Sequence, residues 1–98
     1  MDNIDILKHS LDIWGYDRAT AKDIALRMGV IHGDICRFIR DQDDKELQRE
    51  LGNMILSTVR WINDLEFSFT DCLDAAMICQ IEFVRRRDFL GPLKDKKS

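Results

Sequence analysis

The feature that most constrains this chain is its punctuation: runs of helical apolar spacing open on capping signatures and stop at residues that end helices. From Asn3 to Trp14, the apolar residues Ile4, Leu7, Leu11 and Trp14 recur at steps of three and four, which lines them along one helical face, and Gly15 then offers a stop. Thr20 followed by Asp23 has the form of a capping box, so a second helix opens near Ala21. Its Ile24, Ala25, Met28, Ile31, Ile35, Phe38 and Ile39 fall on or beside one face, and the polar run Asp41 to Asp44 ends it. Asp43 with Glu46 repeats the cap and starts a third helix, with an expected core of Leu47, Leu51, Met54, Ile55, Thr58, Ile62 and Leu65. Ser68 with Asp71 caps a fourth, running through Leu73, Ala76, Met77, Gln80 and Phe83 until Gly91-Pro92 forbids more. No segment alternates with period two beyond a few residues. The pattern predicts an all-α, four-helix-bundle-like single domain over residues 1–92, with a flexible basic tail at 93–98.

A chain of 98 residues has room for one core, and 34% charged residues with a single proline is the composition of a folded helical domain. The net charge of −3 argues against a dedicated nucleic-acid binder, although the charge is unevenly placed. Residues 41–50 hold five acids, and residues 85–98 hold six bases. Acids at Asp2 and Asp5, with no long apolar run, predict neither a signal peptide nor a membrane span, hence a cytoplasmic location and no membrane partner. Cys36, Cys72 and Cys79 form no Cys-x-x-Cys pair, and an odd number closes no disulfide framework; they read as small buried hydrophobes.

On the third helix, Glu46, Glu50, Asn53, Ser57, Arg60 and Asp64 share a narrow arc. Such a stripe is either a solvated outer face or a ligand wall, since carboxylates three and four apart converge and suit a hard cation such as Mg²⁺. A facing wall from the second helix has one central carboxylate, Asp34, and the positions one turn earlier are Val30 and Ile31. His32 points elsewhere on that helix, and His9 on the first carries no information. Leu56, Val59 and Trp61 lie away from the centre of the third helix's apolar arc, so the helix is apolar over much of its circumference, which predicts a homo-oligomer.

The stretch Trp14-Gly15-Tyr16-Asp17-Arg18, the capped helix beginning Asp23-Ile24-Ala25-Leu26, and Arg49 to Leu56 resemble the MazG-like nucleotide pyrophosphohydrolases, as do Leu65 to Leu73 and Arg85-Arg86-Arg87. The resemblance spans roughly residues 10–90. In that family a Glu-Glu-x-x-Glu helix faces a Glu-x-x-Asp helix, their carboxylates hold Mg²⁺, and water attacks a nucleoside triphosphate to release pyrophosphate and a monophosphate. Carried over, the first motif falls on Val30, Ile31 and Asp34 and the second on Glu50 and Asn53, so only Asp34 and Glu50 of the expected acids remain. The resemblance implies Asp34 and Glu50 as catalytic residues, and Asp34, Glu46, Glu50 and Asn53 as the ligands left for Mg²⁺. It also implies Arg85 and Arg86 against substrate phosphates, a nucleoside triphosphate as ligand, and a homodimer or homotetramer. With acids lost at Val30 and Ile31, the activity it implies is weakened or absent.

Residues 21–40 also have the outline of a helix-turn-helix, with Gly29 at the turn, Val30 and Ile35 at core positions, and His32, Asp34, Arg37 and Arg40 presented to a major groove. That reading makes the chain a DNA-binding protein and requires a break at residues 29–31. The pyrophosphohydrolase reading requires one unbroken helix there.

Overall fold

The computed structural model describes residues 1–90, with side chains through Arg86. The expected stop at Gly91-Pro92 and the basic tail at 93–98 lie outside the described residues. The chain is all-α: α1 (Asn3–Trp14), α2 (Ala21–Arg40), α3 (Asp44–Asp64) and α4 (Phe69–Leu90), with no strand among the described residues. No described helix is long and apolar enough to cross a membrane.

Each helix begins where a side-chain oxygen takes an orphan amide of the first turn. Thr20 Oγ1 accepts from the Asp23 amide at 3.2 Å, Asp43 Oδ1 from Glu46 at 3.3 Å and Ser68 Oγ from Asp71 at 3.2 Å. The first helix has the same device, Asp2 Oδ1 accepting from Asp5 at 2.9 Å. The exits are less visible in the sequence. Gly15 closes α1 with φ of 86°, but α2 and α3 end on Gln42 (φ 56°) and Glu66 (φ 63°), both left-handed without being glycine. Both exits are Schellman turns. At α2 the Asp43 amide donates to Phe38 O and the Gln42 amide to Ile39 O; at α3 Phe67 donates to Ile62 O and Glu66 to Asn63 O. At the first exit, Arg40 Nε donates to Asp41 Oδ1 at 2.9 Å, and that hydrogen bond holds the Asp41 carboxyl below the usual carboxylate range.

The tight turn at residues 41–43 folds α2 and α3 into an antiparallel hairpin, and α1 lies against α3 as well, so α3 is the central element. The core is small: Ile24 and Ile31 of α2 meet Trp61 of α3, with Ala19, Ile35 and Leu65 packed against them. Val59 is buried too.

The third helix is rotated relative to expectation. Leu51, Met54 and Ile55, expected inside, are 41%, 39% and 59% exposed, whereas Val59 and Trp61, expected off-centre, are buried. The cause lies in the polar stripe. Its last residues turn inward because Arg60 and Asp64 neutralise each other and find partners in the loop between α1 and α2, so this end of the stripe is not a solvated face. Ile4 and Trp14 on α1 and Ala25, Met28 and Ile39 on α2 are likewise exposed. Cys36 and Cys79 are exposed and Cys72 half-buried, so none is the buried hydrophobe expected.

Candidate functional site

The α1–α2 connector, residues 15–20, is held by a buried polar knot. Arg60 Nε donates to Asp64 Oδ1 at 2.9 Å, Nη1 to Ser10 Oγ at 3.2 Å, and Nη2 to the carbonyls of Gly15 (2.8 Å) and Asp17 (3.0 Å). Asp64 Oδ2 accepts from the Ala19 amide at 3.2 Å. One guanidinium thus ties together the end of α1, the connector and α3, and the Arg60 and Asp64 side chains are 9% and 3% exposed. A fork of five donors suits a loop whose carbonyls no helix satisfies.

The knot shapes a cleft of about 680 Å³ bounded by the end of α1, the connector, α2 and α3. Its floor includes Ile31, Trp61, Arg60 and Asp64; Asn53 and Ser57 continue the wall along α3, and Asp23, Arg27 and Val30 form the α2 side. Trp14, 76% exposed, stands at the rim with Asp17 and Arg18. Arg18 pairs with Glu66 across the loops. Arg27 makes no ion pair among the described residues, so its guanidinium is available to a ligand. An exposed indole, a guanidinium outside any ion pair and the apolar Ile31 and Trp61 of the floor can hold a planar, anionic molecule.

The residues named from the sequence come together only in part. Glu46, Glu50 and Asn53 line a second, open groove of about 1010 Å³ beside Lys45, Arg49 and Ile6, and Asn53 borders both hollows. Their oxygens are engaged: Glu46 pairs with Arg49, Glu50 Oε1 accepts from Asn53 Nδ2 at 2.7 Å, and Asn53 Oδ1 accepts from Ser57 Oγ at 3.5 Å. Asp34 lines neither hollow and sits 3.5 Å from Arg37 Nη2. The hairpin does set Asp34 and Glu50 at one height, each seven residues from the 41–43 turn. Arg85 and Arg86 are exposed on α4 and border neither hollow.

Among the described residues, no group of three or more His, Cys, Asp or Glu side chains is arranged to hold a metal ion. The donor set therefore does not fit Mg²⁺ within one chain, because a hard cation of this size asks for several converging anionic oxygens.

Of the cleft-forming residues, Ser10 and Arg27 were not singled out by the sequence, and Arg60 and Asp64 were placed on the polar arc of α3 but not as a buried pair. The i,i+4 spacing of Arg60 and Asp64 was a signal for their pairing, but nothing in it says that the pair points inward. No family model, curated protein or solved structure matches the chain.

Proposed function

We propose that this chain is a MazG-like bundle that binds a nucleoside triphosphate or related phosphorylated nucleotide in the cleft between α1, α2 and α3 and hydrolyses it slowly or not at all. The observation that carries this reading is α2 itself, continuous from Ala21 to Arg40 through Gly29 and antiparallel to α3. That continuity is what a motif-bearing helix facing a second one requires, and it leaves no turn at residues 29–31 for a helix-turn-helix. Asp34 and Glu50 at matching heights fit the same arrangement.

Within the cleft, the Arg27 guanidinium takes phosphate oxygens, with Arg18 beside it once its surface pair with Glu66 exchanges for ligand. Trp14 offers a ring face to the base. Ile31 and Trp61 keep the inner end dry. No hydrolytic step is assigned, since the residues that would gather Mg²⁺ and activate water are Val30 and Ile31. The proposal includes a cytoplasmic location, where nucleoside triphosphates are available.

The test pairs equilibrium binding of nucleoside triphosphates with a pyrophosphate-release assay in the presence of Mg²⁺. Saturable binding with little turnover supports the reading. Rapid turnover abolished by Glu50→Gln contradicts its catalytic half, and absence of nucleotide binding combined with tight duplex-DNA binding contradicts it whole.

A further inference from the structure

The fourth helix is long, 22 residues, yet nearly unpartnered. Only Phe69 and Cys72 are even half-buried; every described side chain from Leu73 to Arg86 is exposed. At 100° per residue, Leu73, Met77, Ile81 and Val84 fall within an arc of about 80°. They are 48%, 62%, 53% and 48% exposed, a continuous apolar stripe open to solvent. Stripes of this kind are covered in a stable protein, because each such side chain left in water forgoes on the order of 1 kcal/mol or more.

We infer that the α4 stripe is the seam of a homodimer, in which the fourth helices of two copies pack antiparallel about a twofold axis near position 79. The stripe is self-complementary in that arrangement. Leu73 falls opposite the partner's Val84 and Met77 opposite the partner's Ile81, and both pairs share a midpoint within about one residue of 79. Charge points to the same register. Asp74 and Arg85 both lie just past the Ile81 edge of the arc, and in an antiparallel pair the same edges of the two helices face each other. Asp74 of each copy then meets the partner's Arg85, again about a midpoint near 79. Within the chain, neither Asp74 nor Arg85 makes an ion pair among the described residues. A parallel pair would set that edge against Cys72, Ala76 and Phe83 of the other copy, with no acid near Arg85 and no base near Asp74 to match. The inference is independent of what the cleft binds, because no residue of the seam borders it.

The experiment is the mass of the full chain by light scattering and sedimentation equilibrium at tens of micromolar, with helicity followed by circular dichroism. Twice 11.5 kDa is expected. Met77→Glu should give a monomer of unchanged helicity. Asp74→Arg and Arg85→Asp should each raise the dimer Kd about tenfold, and the two together should restore it, since the charges are exchanged but still opposite. A monomeric wild-type chain overturns the inference. So does a dimer indifferent to Met77→Glu, or a double charge reversal additive rather than compensating. A chain that stays monomeric and instead co-sediments with anionic lipid vesicles also overturns it, by giving the stripe to a membrane surface.

Discussion

Replacing Asp64 by alanine should be among the most damaging single changes in this chain. The Arg60 side chain is 9% exposed and Asp64 is its one charged partner among the described residues, so Asp64→Ala leaves a buried cation without a counter-ion and strips the Ala19 amide of its acceptor. Breaking a buried pair in this way costs about 3–5 kcal/mol. That is a large part of the roughly 5–15 kcal/mol by which a domain is stable, and at about 4–8 °C per kcal/mol the melting temperature should fall on the order of 20 °C. Removing both charges is a different perturbation. In Arg60→Met/Asp64→Leu no ion is stranded, and the Gly15 and Asp17 carbonyls, which lie in a partly exposed connector, turn to water. The double variant should therefore be more stable than Asp64→Ala, with a coupling energy of about 2 kcal/mol or more in a double-mutant cycle. Urea unfolding at one fixed protein concentration reads these differences. A cost below about 1 kcal/mol for Asp64→Ala, the range of a surface pair, would refute the assignment of a buried knot.

Other consequences are smaller. Gln42 sits at φ of 56°, so Gln42→Gly should relieve a left-handed strain and raise stability by about 1 kcal/mol; a lower melting temperature would contradict the Schellman exit. Gly29 is helical with no atom within 4 Å of an added Cβ, so Gly29→Ala should stabilise by about 0.5–1 kcal/mol, whereas a glycine required by a turn would make the same change harmful. The Asp41 carboxyl, held below the ordinary range chiefly by the hydrogen bond from Arg40, should show a low midpoint by NMR titration that moves up in Arg40→Gln. A depressed folded pKa gives stability that is present above the unfolded pKa and lost as pH falls through the folded value, and here, at an exposed pair, the loss should be slight.

Helix boundaries were legible because caps are local: Thr20, Asp43 and Ser68 each act on an amide three residues away, and no tertiary contact is needed to see them. The two exits at Gln42 and Glu66 carried no glycine and were legible only as the polar run or loop that followed. The rotation of α3 was hidden for a different reason. Periodicity ranks faces by polarity, and the face that turned inward holds Arg60 and Asp64, whose burial depends on partners at Ser10, Gly15, Asp17 and Ala19 more than forty residues away. Leu51 and Ile55 consequently face water although their spacing is that of a core. For the site, periodicity places Glu46, Glu50 and Asn53 on one arc of α3, and the three residues line the open groove. Arg27, a cleft cation outside any ion pair among the described residues, carried no pattern that would mark it.

The central claim is that the cleft beside the Arg60 knot takes a phosphorylated nucleotide. Isothermal titration of a nucleoside triphosphate into the wild-type chain and into Arg27→Ala, whose side chain is exposed and makes no ion pair among the described residues, tests it most directly. Saturable one-to-one binding, weakened about tenfold or more in Arg27→Ala at unchanged melting temperature, is the predicted result. No binding to the wild type, or binding equally tight in the variant, would contradict it.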